Sequence, residues 1–405
     1  MGMKLRSVGT ISRHGGAGLM GLDLGATAIR ATVLSPGTGR APQTGRHQGG
    51  AHTAHSEQFG HRGAAGRPQV RQGPSGEFEA HGVTVRHTFS EPLPVGAVFR
   101  GSVREPELVT ATVRRLIARH RLHGYQVVVG VNTPQIVVRP MSLPLMSADK
   151  MRQALPFQAR SVIPFPVSDA VLDFSPLPHS TADGDPAQAG EPMAGLLTAA
   201  PREPVVAAVR AVEGAGLRVS RVDLSSFGIL RAIGTRGSAV EAIVDIGSEL
   251  TTIVIHRHGV PQVVRVIVFG GGRLTSRLSD AFGVPEAEAE MMKRSIGVIG
   301  DSAPAIQCRD ETRPLFAEIQ SSLRYFVTTV GSAVDRVLLT GGTAALPGLA
   351  GMCAATWAVP VEVVAPLRHV GESRGSVARN AASGDDAGSA SAVSVGLALG
   401  APVGR

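Results

Sequence analysis

The stretch Ala242-Ile243-Val244-Asp245-Ile246-Gly247-Ser248 decides the fold of this 405-residue chain. A short apolar run, typical of a buried strand, is broken by Asp-x-Gly and followed by a second β-rich run, Thr251–Ile255. Glycine lets backbone amides approach an anion closely, hydroxyl groups donate hydrogen bonds, and an aspartate can hold a hydrated Mg²⁺. The stretch is therefore typical of a turn that binds phosphate.

The same pattern occurs a second time, in Gly21-Leu22-Asp23-Leu24-Gly25-Ala26-Thr27. A single Asp-x-Gly sequence is most often an ordinary β-turn. Here there are two copies, each follows an apolar run, and one lies in each half of the chain. Together they predict a duplicated α/β fold whose two halves clamp a nucleotide.

Composition and charge argue against several classes of function. Apolar residues make up 43% of the chain and aromatic residues 4%, so the cores depend on Val, Leu, Ile and Ala. The net charge of +8 is spread through apparent loops, without the basic, aromatic-rich helix that would favour nucleic-acid binding. Two isolated cysteines predict a reducing compartment. No apolar run reaches the roughly 18 residues of a membrane span, so we expect a cytoplasmic protein.

The composition and the apolar pattern change along the chain, and these changes predict its organisation. The expected segments are a flexible N-terminus (1–18), a first half (19–133) with a low-complexity insert (36–80), a small inserted α/β unit (134–222), a second half (223–366) and a flexible tail with a C-terminal helix (367–405). Pro106–His120 has the apolar period of an amphipathic helix, and Val127–Val131 reads as a buried strand. Within the tail, Ala392–Leu399 predicts a small-residue helix.

Three features of the second half extend the nucleotide interpretation. Gly270-Gly271-Gly272 separates a strand from a helix, where amides can face an anion, although such runs are often only tight connections. Glu290 and Lys293 share a helix face, an arrangement that is usually a surface ion pair. Lysine occurs only three times in the chain, which favours a functional Lys293. Finally, the turn Gly341-Gly342-Thr343 follows a strand, and its backbone can approach a base or ribose closely.

The order of these features resembles the actin/Hsp70/sugar-kinase nucleotide-binding fold, which is ribonuclease H-like. Shorter motifs narrow the resemblance to the type IV pilus assembly protein PilM family, an FtsA-like branch of that fold. These motifs are Glu91–Val98, Pro140–Ser147, Ile163–Pro166 with Leu172-Asp173, and Ala215–Leu217 with Val222-Asp223 and Leu230-Arg231. The resemblance covers residues 21–33 and 83–366, and it implies that 134–222 is an FtsA-type inserted subdomain.

The resemblance also implies that ATP binds with Mg²⁺ between the halves. It assigns the first phosphate side to Asp23, Gly25, Ala26, Thr27 and Arg30, the second to Asp245, Gly247, Ser248 and Thr251, and ribose and base to Gly270, Gly271, Lys293, Gly341, Gly342 and Thr343. Asp23 and Asp245 would hold Mg²⁺ through water. Arg30 stands where the family usually has Lys and keeps the charge, whereas Gln158 stands where it usually has Glu. No residue is clearly a base that positions water, so we expect slow hydrolysis at most.

The function implied by the resemblance is an ATP-binding scaffold of a type IV pilus assembly or related secretion machine. Its partner would be the cytoplasmic N-terminal peptide of a PilN-like bitopic membrane protein, with a PilO-like protein and the assembly ATPase nearby. This partner would recruit the protein to the inner face of the membrane, without direct insertion. An FtsA-like filament-forming division protein, a small-molecule kinase with Asp223 as its base, and a homo-oligomer remain open alternatives.

Overall fold

The computed structural model describes residues 19–36, 83–177, 192–233, 238–366 and 390–400. The predicted flexible N-terminus, nearly all of the low-complexity insert and most of the tail lie outside these residues.

Strands and helices alternate along the described chain. The strands are β1 (Leu19–Leu24), β2 (Ala28–Pro36), β3 (Val83–Pro92), β4 (Val98–Phe99), β5 (Ser102–Val103), β6 (Gln126–Val131), β7 (Val137–Pro144), β8 (Ala170–Pro176), β9 (Pro192–Pro201), β10 (Arg218–Leu224), β11 (Val240–Ile246), β12 (Thr251–Arg257), β13 (Val260–Ile267), β14 (Arg336–Thr340) and β15 (Val361–Val363). The helices are α1 (Pro106–His120), α2 (Ala148–Ala159), α3 (Arg202–Gly214), α4 (Ser225–Ile233), α5 (Gly271–Phe282), α6 (Glu286–Ile296), α7 (Ala303–Val330), α8 (Leu349–Trp357) and α9 (Ala392–Leu399).

The first sheet has the strand order β10-β6-β1-β2-β3. β1 pairs antiparallel with β2 and parallel with β6, which in turn runs parallel with β10. The apolar side chains of α1 and α3 join the buried core on this sheet, including Val109, Leu116 and Val212. Because parallel strands end at the same edge of a sheet, the segments that follow β1, β6 and β10 meet there.

The second sheet repeats this pattern. Its order is β13-β12-β11-β14-β15, and β11 pairs antiparallel with β12 and parallel with β14. β11 and β12 are almost wholly buried, which explains their unbroken apolar runs. The repeat of the central strand pattern confirms the predicted duplicated α/β architecture.

A separate small sheet lies between the two halves in the sequence. Its order is β7-β9-β8, and α2 packs against it through Leu155 and Ala159. The predicted inserted unit, 134–222, extends further than this sheet. β10 adds to the first sheet beside β6, and α3 packs on α1, where Thr110 Oγ1 donates to Ala211 O at 3.0 Å. Hydrogen bonding therefore favours a boundary near residue 201, and the division into units remains a prediction.

The predicted helices agree with the structure where apolar periodicity is strong. α1 covers the predicted Pro106–His120 and ends where Arg121 adopts a left-handed φ of 56°. In the small sheet's unit, α2 ends at Ala159, and the chain continues as a turn before Pro164. Pro164 keeps the residue before it, Ile163, out of helical backbone, so the helix cannot continue past this point.

The predicted small-residue helix, α9, lies in the core that joins the two sheets. Its residues from Ala392 to Ala398 are buried, and it packs against α4, β1 and β2. A Cβ on Gly396 would lie 1.7 Å from the carbonyl oxygen of Gly228 in α4, so the two backbones are in direct contact. Arg231 Nε also donates to Gly396 O at 2.9 Å. The small residues of α9 thus set how closely the halves approach.

Candidate functional site

Asp23 and Asp245, the aspartates of the two Asp-x-Gly turns, lie close together where the ends of the two sheets face each other, a place we call the cleft. Asp23 lies near the end of β1, and Asp245 lies near the end of β11. The carboxyl groups are close enough for the charge of Asp23 to raise the pKa of Asp245. The structure therefore brings together two predicted site residues from opposite halves of the chain.

Burial dominates the electrostatics of this aspartate pair. It raises the pKa of Asp23 from 3.8 to about 6, and burial followed by the charge of Asp23 raises the pKa of Asp245 from 3.8 to about 7. Arg30 opposes both shifts. It is the cross-strand partner of Asp23, and its guanidinium lies beside Gly25. Two ionised carboxyl groups beside one guanidinium would carry an excess negative charge, which suits a hydrated cation.

The turn of the second half, Ile246 to Ser248, is held by two other glycine-containing segments. Both predicted segments, 270–272 and 341–343, contribute. The bonds are Gly271 N to Gly247 O at 2.9 Å, Gly272 N to Ser248 O at 2.8 Å, Thr343 N to Ile246 O at 3.1 Å and Thr343 Oγ1 to Gly247 O at 3.0 Å. Residues predicted from three separate sequence motifs thus form one connected backbone surface.

Close packing in this surface explains its glycines. A Cβ on Gly270 would lie 2.3 Å from the carbonyl oxygen of Ser248. A Cβ on Gly341 would lie 2.6 Å from Oδ1 of Asp245, and the φ of Gly341 is +90°, which side chains rarely adopt. Both positions therefore require glycine.

Lys293 lies behind this surface, and its donors point inward. The residue is 5% exposed, and Nζ donates to Gly271 O at 3.1 Å, to Thr275 Oγ1 at 2.9 Å and to Glu290 Oε2 at 2.5 Å. This differs from the expected contact with ribose and also from a surface ion pair. Since all three N–H groups are used within the protein, Lys293 fixes the start of α5, where Gly271 lies.

Thr251 is also used within the protein. It is fully buried, and Oγ1 donates to the carbonyl oxygen of Phe269 at 2.8 Å. Its hydroxyl holds the end of the strand before Gly270, in place of the expected phosphate contact. In contrast, Thr27 is exposed, and Ala26, Ser248 and Gly342 are partly exposed beside the cleft turns. Their contact with a nucleotide remains a prediction.

Two hydrogen bonds cross between the halves at residues that sequence reasoning missed. Arg100 N, in the turn between β4 and β5, donates to Glu249 Oε2 at 2.5 Å. Asn132 Nδ2, directly after β6, donates to Thr252 Oγ1 at 2.9 Å. Asn132 could have been found, because it is the first polar residue after a predicted buried strand.

Asp223, the base of the alternative kinase interpretation, is held by its neighbours. Arg231 Nη2 donates to Oδ2 at 2.6 Å, and Arg221 Nη2 lies 3.5 Å from the same oxygen. Leu224 N donates to Oδ1 at 2.8 Å. Both oxygens of Asp223 are thus already occupied by donors of the protein, whereas a general base needs an oxygen within hydrogen-bond reach of the substrate hydroxyl.

Two kinds of feature are absent from the described residues, a cluster of metal ligands and a membrane-spanning helix. Within these residues, no three His, Cys, Asp or Glu side chains converge on a point where they could hold a metal ion. Likewise, none of the helices in the described ranges is both long and apolar enough to span a membrane.

Comparison with known proteins identifies the family. The model of the family described as Type IV pilus assembly protein PilM matches residues 75–401. This match covers most of the chain, and the chain belongs to that family, as the sequence motifs predicted.

Two further likenesses concern individual proteins. The solved PilM-PilN type IV pilus biogenesis complex has a TM-score of 0.72 and 25% identity, covering 95% of this chain and 98% of the chain in that structure. The cell division protein FtsA of Streptococcus pneumoniae serotype 2 (strain D39 / NCTC 7466) is 24% identical over an alignment of 201 residues, and the match covers 43% of this chain and 43% of that protein. The alignment thus spans less than half of that relative. Together with the two repeated sheets, these likenesses confirm the predicted FtsA-like, actin-like ATPase fold.

Proposed function

We propose that this member of the PilM family is an ATP-binding scaffold of a type IV pilus assembly or related secretion machine. The observation that carries the proposal is that Asp23 and Asp245 lie together beside Arg30 in the cleft between the halves. Its membrane partner would be the short cytoplasmic peptide of a PilN-like protein, as the likeness to a PilM-PilN complex suggests. In this role the protein would work in the cytoplasm at the inner face of the membrane.

The residues around the cleft fit a nucleotide in distinct ways. Backbone amides of the turns after Asp23 and Asp245 would bind phosphate, and Arg30 would add positive charge. Both carboxylates would hold Mg²⁺ through water, and the bound cation would neutralise phosphate charge. The surface of Gly270, Gly271 and Gly341 to Thr343 would lie against ribose and base. Lys293 would act by holding Gly271 in place.

A thermal shift experiment tests nucleotide binding. Saturating ATP with Mg²⁺ should raise the melting temperature of the wild-type chain, because a ligand that binds only the folded state stabilises it. Asp245→Ala should abolish this shift. Asp310→Ala, which removes an exposed carboxylate on α7 paired with Arg313, is the matched control and should keep it. Absence of any shift in the wild type would contradict the proposal.

The partner site is proposed on the side where the small sheet meets the first half, at the edge of β8 that pairs with no other strand of the described residues. Leu177 N donates to Ala194 O, so in the antiparallel register of β8 and β9 the backbone groups of Leu172 and Phe174 point away from β9. Arg202 of α3 donates to Ala170 O at 2.7 Å on this same side. Beyond Ala170, this edge of β8 lies on the side of the first half, where an extended peptide could add a strand.

A proline substitution tests strand addition at this edge. Leu172→Pro removes the outward N–H of residue 172, and we expect it to weaken partner-peptide binding about tenfold or more. Leu172→Ala removes the same side chain and keeps that N–H, so it should bind within about threefold of the wild type. If both variants lose binding equally, the side chain matters and the strand edge does not.

The alternatives have less support from the site. The kinase interpretation needs a free base, and Asp223 is held by Arg221 and Arg231. The FtsA-like filament role draws on the partial match to FtsA, and it predicts nucleotide-dependent sedimentation of the pure protein. A scaffold should instead stay in the supernatant with ATP and with ADP, with slow turnover at most.

A further inference from the structure

Asn132 occupies a junction of three parts of the molecule. It follows β6 of the first sheet and stands two residues before Pro134, where the chain leaves for the small sheet. Its side chain donates to Thr252 Oγ1 in the second sheet, at 2.9 Å. Its carbonyl oxygen packs on the β4–β5 turn, since a Cβ on Gly101 would lie only 1.5 Å from it.

Two polar atoms at this junction are buried and lack a hydrogen-bond partner among the described residues. They are Oδ1 of Asn132 and Oγ1 of Thr133. Thr133 is 1% exposed. A buried acceptor without a partner costs free energy of about 1–3 kcal/mol, so native proteins usually satisfy it with water or a ligand.

Strand register places this junction beside the aspartate pair. Thr252 is the cross-strand partner of Asp245, and directly opposed residues of an antiparallel pair project from the same face. In the first sheet, Leu22 lies opposite Val129 in a parallel register. Continued to the strand ends, that register brings Asn132 level with Gly25, two residues beyond Asp23. The unpartnered oxygen therefore belongs to the same cleft edge as both carboxylates.

We propose that Asn132 is a further residue of the nucleotide site, whose Oδ1 accepts a hydrogen bond from a water molecule of the hydrated Mg²⁺. This inference rests on the proposed nucleotide binding. The partner of Oδ1 is water on the cation and not phosphate. An amide oxygen can only accept a hydrogen bond, and phosphate oxygens at neutral pH do not donate one. The hydrogen bond from Nδ2 to Thr252 fixes the orientation of the amide, so that Oδ1 can accept from the water.

The test measures how much Mg²⁺ strengthens nucleotide binding. A fluorescent ATP analogue is titrated into the full chain with MgCl₂ and, separately, with EDTA. In the wild type, Mg²⁺ should tighten binding. Asn132→Leu should lose about five- to tenfold of that gain, the effect of one hydrogen bond to a fixed water, and should bind the metal-free analogue within about twofold of the wild type.

Two further variants separate this role from a structural one. Thr252→Val breaks the same bond between the halves but leaves the acceptor of Asn132, so it should keep most of the Mg²⁺ gain. Asn132→Asp keeps an oxygen acceptor and should also retain the gain. If the melting temperature of Asn132→Leu shows that the variant is too unstable for titration, Asn132→Ala takes its place.

The outcomes separate the role of Asn132 from nucleotide binding itself. A Mg²⁺ gain in Asn132→Leu equal to that of the wild type, or an equal loss with and without Mg²⁺, would overturn the role of Asn132. If Thr252→Val loses as much of the Mg²⁺ gain as Asn132→Leu, the effect belongs to the bond between the halves, and the role of Asn132 is overturned as well. A wild-type chain that does not bind the analogue would overturn the proposed nucleotide function itself.

Discussion

The two Asp-x-Gly turns share a backbone pattern but differ in their surroundings. Each joins two antiparallel strands through a short connection, residues 25–27 in the first half and 247–250 in the second. The second turn accepts hydrogen bonds from Gly271, Gly272 and Thr343. The first turn is held at Thr27, whose carbonyl oxygen accepts from Leu93 N at 3.0 Å, and the side chain of Thr27 is exposed.

This difference suggests unequal roles for the two halves. The second turn is fixed before any ligand arrives, so it can present its amides at little entropic cost. The first turn is more open, and it contributes the cation Arg30 next to Asp23. We therefore expect changes in the second turn to reduce binding and stability together, and changes in the first turn to affect binding more than stability.

The largest expected effect comes from the aspartates. Asp245→Asn should weaken binding of ATP with Mg²⁺ about 100-fold, because a charged contact to the hydrated cation contributes about 1.5–3 kcal/mol. Asp23→Asn should weaken it less, since Arg30 would then lie beside a neutral partner and could turn towards phosphate. Isothermal titration calorimetry of both variants measures this, and a larger loss for Asp23→Asn would reverse the assigned roles.

The same aspartates should make the ligand-free protein less stable as pH rises. Their folded-state pKa values, about 6 for Asp23 and about 7 for Asp245, lie above the value of 3.8 expected on unfolding. The folded state therefore binds more protons, and stability falls between about pH 4 and pH 7 and then levels. Denaturant unfolding at pH 5 and pH 8 should give a lower free energy of unfolding at pH 8.

Asp245→Asn provides the control for this pH dependence. The variant cannot ionise at position 245, so at pH 8 and without ligand it should be more stable than the wild type by about 2–4 kcal/mol. At pH 4 the two proteins should have similar stability. A variant that is less stable at pH 8 would show that the carboxylate is not penalised by burial.

Glycine replacements compare the rigidity of the two turns. In Gly270→Ala the new Cβ would lie 2.3 Å from backbone atoms of Ser248, so we expect a loss of about 2–3 kcal/mol in unfolding free energy and weaker ATP binding. In Gly25→Ala the nearest atoms would be Ala28 O at 2.8 Å and the movable guanidinium of Arg30 at 3.1 Å, so the loss should be about 1 kcal/mol. Equal losses in urea melts would mean that both turns are equally rigid.

Much of the fold was predictable because local sequence determines it. The apolar runs before Asp23 and Asp245 are strands as predicted, and α1 and α9 lie where periodicity and small residues predicted them. The boundary of the inserted unit was less predictable. β10 looks like any other strand in the sequence, and its pairing with β6 depends on long-range contacts that no local pattern reports.

The site was predictable in its backbone and less so in its side chains. The glycines revealed the turns at Gly247, Gly270 and Gly341, because a Cβ there would lie within about 3 Å of neighbouring atoms, and Gly341 also has a positive φ. The direction of a side chain depends on what packs around it. Lys293 was therefore expected in the cleft but is buried behind Gly271, and Asn132 was missed because its partner is in the other half.

The smallest expected effect concerns one hydroxyl in each turn. Thr343→Val removes the bond from Oγ1 to Gly247 O, and the free energy of unfolding should fall by about 1 kcal/mol, with ATP affinity reduced a few-fold as the second turn loosens. Thr27→Val removes an exposed hydroxyl of the first turn, so stability should change by less than about 0.5 kcal/mol. Valine keeps the shape of threonine in both variants, which isolates the hydroxyl. Urea melts and calorimetric titrations on the two proteins measure both quantities, and a stability loss confined to Thr27→Val would show that the first turn, and not the second, is the fixed one.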